Sequence, residues 1–382
     1  MVAYLEVFYA DIPMGVMSWD NRLNQGWFEF HSDFMPNRQR VAPLLTQEIP
    51  PSSPTTTFRL DGRWPTFVPT FITDNLPGPY ALSLLRQALR ASGKTPEQLN
   101  PQAWCALMGR RGQGAVGFAP GGYPELDPVE PVDISRLVSY LRLLNTGRLS
   151  DNRMRELLRS GLFTTTERPS ALLAINDFTG AVLSGQAGLP SGFQAWTCWL
   201  DGFEQAGAPT LEACLQANRE ALACGLTVLE CRPLKDGHLT HVLIRRPDRT
   251  EGYPEHLLTL PALMPDDGVL PKDSCEAVFR CLRLLRRPYT EQAAFFRRLV
   301  YHGLRYHRME RPSDVSFSCN RAGVWSLVPS TGFPPALQGG MSLNGRYREW
   351  TLDDYRTLGI SQHIKRYERI IEDVQSALTA LT

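Results

Sequence analysis

The sequence carries almost no surplus charge: its 382 residues include 40 lysines and arginines against 39 aspartates and glutamates, a formal net charge of +1. That balance supplies no global field for holding nucleic acid or acidic lipid. Long apolar runs are missing too. No stretch is long enough to span a bilayer. The opening MVAYLEVFYADIPMGV lacks the basic start of a signal peptide and is broken by acidic residues and a proline. A cytoplasmic protein with no membrane partner is expected. The eight cysteines, at 105, 198, 214, 224, 231, 275, 281 and 319, include no CxxC and no pair joined to histidine at zinc-ligand spacing. Free buried thiols in a reducing compartment are the expectation. His238 and His241 flank a hairpin tip in KDGHLTH and read as exposed polar residues rather than metal ligands. No internal repeat and no DNA-reading helix-turn-helix is recognisable.

What is there is an ordinary globular balance, 43% hydrophobic and 21% charged, on a chain long enough for two lobes. The first 120 or so residues read as β-rich. YLEVFYADIPMGVMSWD alternates and turns, GWFEFHSDFM reads as a second strand pair, and VAPLLTQEIP reads as extended. PPSSPTTT has no apolar face. Tyr80, Leu82, Leu84, Leu85 and Leu89 then mark an amphipathic helix opened by prolines, PEQLNPQAWCALMGRR a second helix, and GQGAVGFAP a short strand. The proline- and acid-rich GGYPELDPVEPVD marks a domain boundary. Beyond it, ISRLVSYLRLLNTG predicts a helix ending at Gly147, and DNRMRELLRSGLF another with Asp151 as N-cap. SALLAINDFTGAVLS, LECRPLKDGHLTHVLIRRPDR and VSFSCNRAGVWSLVPS each predict a hairpin. LEACLQANREALACGLTV predicts a helix closed by Gly225, and HIKRYERIIEDVQSALTAL a terminal amphipathic helix. Trp196 and Trp199 fit core packing better than a stacking surface. Arg280, Arg283, Arg286 and Arg287 lie at helical spacing and read as a solvated face, with a phosphate-binding patch as the alternative.

Several blocks, in order along nearly the whole chain, resemble the HipA-like serine/threonine kinases of bacterial toxin–antitoxin modules. FITDNLPGPYALSLLRQAL is similar to that family's "DNLLP" helix start through Asp74, Asn75, Leu76 and Pro77. LMGRRGQGAVGFAP resembles its "iGrdcvGAl.f.P" block through Gly109, Arg110, Gly114, Ala115 and Pro120. IRRPDR resembles "vERFDR" through Arg246, Asp248 and Arg249, and MSLNGRYREWTLDDYRTLGI resembles a further block near the end. The resemblance implies an α+β, two-lobe protein-kinase-like fold with a β-rich N-terminal lobe and a mainly helical C-terminal lobe. It divides the chain into an N-terminal subdomain (1–120), a nucleotide lobe (134–265) and a helical C-terminal lobe (266–382).

The catalytic motifs match in position and fail in chemistry. Against the family's "RlvFNvligNtDDHxkNfgf", RRLVYHGLRYHRMERPSDVSF keeps Arg298, Val300, Tyr301 and Phe317. It sets Met309 at the aspartate position, with Glu310 beside it, and Asp314 at the metal-binding asparagine. The family's main magnesium aspartate falls on Gly332. Phosphoryl transfer needs a carboxylate to hold Mg²⁺ on the β- and γ-phosphates. Glycine has no side-chain ligand, and a thioether is a poor partner for a hard cation. The phosphate loop resembles "sGaqpKalv" only as FTTTERPSALL, with Pro169 or Ser170 at the lysine position and no glycine. Thr165, Thr166, Arg168 and Ser170 are what remains of a nucleotide-binding loop. Between Asn176 and Trp199 there is no lysine or arginine to pair phosphate, and the helical carboxylate position falls near Cys214.

Four parts lost together imply a pseudokinase of a toxin–antitoxin-type system that acts by protein binding. The implied partners are a helix-turn-helix antitoxin or a HipA-like kinase, with DNA reached only through the partner and no cofactor. One alternative is an active, divergent kinase using ATP and Mg²⁺, with Glu310 as base and Asp314 as metal ligand. Another is a nucleic-acid or small-molecule binding module on a kinase-like fold.

Overall fold

The computed structural model describes residues 4–46, 57–60, 69–74, 76–91, 93, 95, 99–121, 129–146, 148–160, 167–185, 189–203, 208–250, 253–264 and 268–381. The chain divides into two units, Met1–Phe203 with Leu234–Leu257 and Glu204–Pro233 with Leu258–Thr382.

The first unit opens with strict alternation. In β1 (Leu5–Tyr9) the side chains of Leu5, Val7 and Tyr9 are buried and those between them are half-buried. Ala10 and Asp11, at φ of 46° and 70°, turn the chain into β2 (Ile12–Asp20), as a two-residue hairpin requires. With β3 (Gln25–Phe30), β4 (Thr57–Leu60) and β5 (Val116–Ala119) these form an antiparallel sheet of order β4-β3-β2-β1-β5. Gly15 permits the tight β2–β3 approach, since a Cβ there would lie 2.3 Å from the Glu29 carbonyl oxygen. Phe28, Phe30, Phe34 and Phe71 form its aromatic core, the Phe28 ring meeting Phe30 and Phe71 edge-on at 4.9 and 5.6 Å. Each such burial contributes roughly 1.5–3 kcal/mol. Helices α1 (Thr70–Thr73), α2 (Pro79–Ala91) and α3 (Pro101–Met108) intervene, and Asn100 caps the last by accepting from the Ala103 N–H.

The same unit carries α4 (Ile134–Asn145) and α5 (Asp151–Arg159). Its second sheet is built from β6 (Ser170–Ile175), β7 (Val182–Ser184), β8 (Gln194–Trp199), β9 (Cys231–Asp236) and β10 (Leu239–Arg245), in the order β7-β6-β8-β10-β9. Every residue of β6, SALLAI, is buried, which explains its unbroken apolar run. A short ladder of β11 (Arg249–Thr250) and β12 (Tyr253–Pro254) follows.

Between β10 and β11 lies a buried ionic knot. Arg246 donates to Asp248 through Nε and Nη2, at 2.9 and 2.7 Å, and through Nη1 to the Gly185 carbonyl. Arg249 donates to the same carboxylate at 2.8 Å and to the carbonyls of Gly114 and Gly112. The Gly114 N–H completes the set on Asp248 at 2.9 Å. All three charged side chains are buried. Burial alone would raise the Asp248 carboxyl, but the Arg246 and Arg249 charges outweigh it and hold it far below the carboxylate range. Two of the blocks quoted above, around Gly114 and around Asp248, are therefore one structural joint.

The second unit is mainly helical. It contains α6 (Leu211–Ala223), the end of the boundary strand β13 (His256–Thr259), α7 (Leu260–Leu263), α8 (Cys275–Leu284) and α9 (Tyr289–Tyr306). The hairpin of β14 (Ser316–Cys319) and β15 (Trp325–Leu327) and helices α10 (Leu352–Ser361) and α11 (Tyr367–Leu381) complete it. The long α9 buries Phe295, Phe296, Leu299, Val300 and Tyr301 and packs against α8 and α11. Thr210 caps α6, and Gly225, at φ 77°, closes it.

Several local expectations change. VAPLLT is a buried turn rather than extended chain, and the segment after β3 is a 3-10 helix, Ser32–Arg40, so that β3 takes β4 as its outer partner. Ser150 occupies the N-cap position and Asp151 the first helical one. His363 and Arg366 adopt left-handed φ of 58° and 55°, which delays α11 to Tyr367. His241 is fully buried, its Nδ1 accepting from the Asp201 N–H at 2.9 Å. The eight cysteines are free, seven buried and Cys231 half-buried. Among the described residues no helix is long and apolar enough to cross a membrane. PPSSPTT, Asn75, Gly147 and most of GGYPELDP lie outside the described residues.

Replacing Asp248 by Asn leaves two buried guanidinium groups without their counter-ion, and a loss of about 3–5 kcal/mol is expected by chemical denaturation. A second expectation concerns acid. His256 is buried with Nε2 on the Val41 carbonyl at 2.9 Å, and burial lowers its pKa to about 4. Its folded value lies below the unfolded one, so its contribution is complete above about pH 6.5 and is lost as pH falls toward 4, roughly 3 kcal/mol in all. His256→Asn should flatten the pH dependence of the urea midpoint between pH 7 and about 5, while lowering stability at neutral pH.

Candidate functional site

The segment after α9 decides what the kinase-like loop can do. His307, in the left-handed region at φ 51°, ends the helix with its N–H on the Gly303 carbonyl. The chain then turns Met309 inward. Its side chain is 1% exposed, with Cε 3.2 Å from where a Gly303 Cβ would stand. Gly340 backs it so closely that a Cβ would lie 2.5 Å from the Met309 carbonyl oxygen. Met309 is therefore a core residue.

Glu310 is buried as well, and its carboxylate is fully engaged. Arg298 donates to it through Nε and Nη2, at 2.5 and 2.8 Å, and Ser330 Oγ donates at 3.1 Å. The guanidinium also reaches the carbonyls of Val328 and Asp314, both at 3.3 Å. Burial alone would raise the Glu310 carboxyl, but the Arg298 charge outweighs it and holds the group below its usual range. A carboxylate so stabilised is a poor proton acceptor. His302 sits 1% exposed on the other side, Nε2 3.5 Å from Glu310 Oε1, with neither ring nitrogen hydrogen-bonded among the described residues. Burial keeps it neutral, the pull of Glu310 only partly opposing this.

Asp314 ends a 3-10 turn, Pro312–Asp314, and its carboxylate takes the Arg311 N–H, Nε and Nη2 at 3.2, 3.0 and 2.9 Å. The fold thus brings Glu310 and Asp314 onto one guanidinium, Glu310 by its side chain and Asp314 by its backbone, with each carboxylate already held by an arginine. Gly332 stands at φ 71°, where a Cβ would lie 2.5 Å from Ala221 Cβ, and its N–H donates to Ser330 Oγ. Asn218 on α6 ties the neighbouring turn down by donating to the carbonyls of Leu229 and Thr331. Among the described residues no group of three or more histidines, cysteines and carboxylates is placed to hold a metal.

The remaining candidates lie in the first unit. Arg168 rests over the Trp199 ring at 5.2 Å, and Ser170 is the buried first residue of β6, paired opposite Trp199. Thr165 and Thr166 lie outside the described residues. Trp196 is buried, in keeping with core packing. The arginine run is partly spoken for, since Arg287 pairs with Glu291 and Arg283 donates to Gln362. Sequence reasoning named Arg298 only as part of the loop's frame and missed His302, Ser330 and Asn218. Nothing local marks them, because each acts on a residue from another segment.

No family model and no curated protein matches the chain. A solved structure does: the complex of HipA, HipB and operator DNA from the toxin–antitoxin system of Shewanella oneidensis MR-1. It superposes with a TM-score of 0.63 at 13% identity, over 98% of this chain and 88% of that one. The chain has a HipA-like, kinase-like α+β fold. With the five-stranded sheets in the first unit, apart from Cys231–Pro233 of β9, and a mainly helical second unit, the HipA-like fold agrees with the class expected from the quoted blocks.

The pairings set a stability test. Glu310→Gln leaves Arg298 buried without its counter-ion and should cost about 3 kcal/mol or more. Asp314→Asn, in a part-exposed pair, should cost less than about 1 kcal/mol. Gly332→Asp, which strains a left-handed residue and meets Ala221, should cost roughly 1–3 kcal/mol. Urea denaturation of the three variants checks the order.

Proposed function

We propose that this chain is a HipA-like pseudokinase of a toxin–antitoxin-type system, acting by binding protein rather than by transferring phosphate. The observation that carries the reading is the Arg298–Glu310 pair. The carboxylate nearest the lost aspartate is neutralised by an internal cation, Asp314 is bound by Arg311, and the magnesium position is a glycine in the left-handed region. A kinase works by positioning and by neutralising phosphate charge with metal. Here the local carboxylates already serve protein cations, which disfavours the active-kinase alternative built on Glu310 and Asp314. The absence of lysine or arginine between Asn176 and Trp199 points the same way.

With catalysis set aside, surface complementarity is what a kinase-like scaffold can still offer. The partner proposed is a helix-turn-helix antitoxin or a HipA-like kinase, with DNA engaged only through that partner. The solved HipA relative, crystallised with HipB and operator DNA, supplies the precedent for such a complex. The three-part division into 1–120, 134–265 and 266–382 is retained as part of this proposal, as is a cytoplasmic location. No cofactor is assigned.

Titration with ATP, with and without Mg²⁺, followed by thermal shift, tests the reading. No magnesium-dependent stabilisation is expected; a clear magnesium-enhanced shift would overturn the reading, and its removal by Asp314→Ala would mark Asp314 as the metal ligand. Intact-mass measurement of protein made in cells should likewise show no phosphate on Thr164, Thr165 or Thr166.

A further inference from the structure

Just before α4 the chain runs along the edge strand β7. The Val132 N–H donates to the Val182 carbonyl at 2.9 Å, and the Ser184 N–H to the Glu130 carbonyl at 2.8 Å. This pairing holds Glu130 at the end of α5, where Arg159 Nη1 donates to its carboxylate. Between that edge and the two helices lies a cavity of about 420 Å³. Sites for small molecules span roughly 300–1,000 Å³.

The charged lining is mixed. Glu130, Asp133 and Glu156 supply three carboxylates, and Arg136 and Arg159 two guanidinium groups. Arg159 is engaged by Glu130, and Asp133 caps α4 by accepting from the Arg136 N–H. Arg136 and Glu156 face each other without bonding. Their Nη2 and Oε2 atoms are 3.7 Å apart, too far for a hydrogen bond. Arg136 Nη2 donates instead to the Tyr140 hydroxyl of its own helix, at 3.2 Å. Among the described residues the Glu156 carboxylate accepts no hydrogen bond. Both residues also stand at the wrong end of their helices. Arg136 lies in the first turn of α4, where the helix dipole favours an anion, and Glu156 in the last turn of α5, where it favours a cation. An exposed pair at that distance offsets little of this cost. Local preferences are broken in this way at functional sites.

We propose that this cavity binds a free α-amino acid, a basic one best. Lying across the pair, the ligand's carboxylate accepts from Arg136 and its ammonium donates to Glu156. The two charges of an α-amino acid sit on neighbouring atoms, which suits a cation and an anion 3.7 Å apart. An anion alone would meet three carboxylates and a cation alone two guanidinium groups, whereas a zwitterion answers both. The one carboxylate in excess favours a second ammonium group on the ligand. Pro131, Val132 and Leu137 offer apolar surface to the aliphatic stem that carries it. The Arg136 and Glu156 side chains are 60% and 43% exposed, so affinity is low, roughly millimolar. This inference rests neither on the pseudokinase reading nor on its protein partner.

Saturation-transfer NMR of the full chain tests it with three probes: L-lysine, cadaverine, which lacks the carboxylate, and hexanoate, which lacks both ammonium groups. L-lysine is expected to bind with a roughly millimolar Kd, and the other two about tenfold more weakly or worse. Glu156→Gln and Arg136→Gln should each weaken lysine binding about tenfold. Thermal stability should stay unchanged in both, because the pair they break is exposed. No transfer from L-lysine at roughly 50 mM overturns the proposal. Cadaverine binding as tightly as lysine overturns it too, leaving only an acidic surface, as does lysine binding that both variants retain.

Discussion

Asp248 is the point on which the first unit turns. Moving a charge out of water costs several kcal/mol per ion, and such a group survives only when it is paired and its remaining hydrogen bonds are filled. Here one carboxylate sits between two arginines, and the excess positive charge is absorbed by the carbonyls of Gly112, Gly114 and Gly185. Those carbonyls belong to segments far apart in the chain. The knot can close only if the loop before β5, the end of β7 and the turn after β10 arrive together. Even the loop's glycine is constrained: Gly114 has a φ of 78°, and a Cβ on it would lie 3.0 Å from the Leu257 backbone nitrogen.

This requirement accounts for an asymmetry within the chain. The segments around Gly114 and around Asp248 are those whose loss would leave a buried ion uncompensated. Met309 and Gly332 carry no charge and set no such requirement. A methionine at 309 gains burial, and glycine at 332 relieves the approach to Ala221. The fold can be kept while the chemistry drifts, because different interactions hold each.

The second unit repeats the device with a different consequence. Arg298 and Glu310 form another buried two-point ion pair, joined by Ser330 and backed by the carbonyls of Val328 and Asp314. It fastens the segment after α9 to the loop after β15. In doing so it engages the carboxylate that follows Met309.

Most of the secondary structure was legible in the sequence, because period and turn chemistry are local. Alternation set β1, amphipathic spacing marked α2, and Asn176 and Asn320 with their following glycines fixed two hairpins. The local errors came where burial overrides pattern. VAPLLT reads as a strand because it is apolar, yet it is a buried turn, and His241 reads as surface because its neighbours are polar, yet its ring is enclosed. The site was legible only as a set of absences. Sequence by itself determined that Met309 and Gly332 cannot hold magnesium, since that follows from the side chains alone. Only tertiary structure decided the fate of Glu310. Whether a carboxylate is a base or one half of a salt bridge depends on what stands within 3 Å of it, and its partner Arg298 reaches it across the end of a helix.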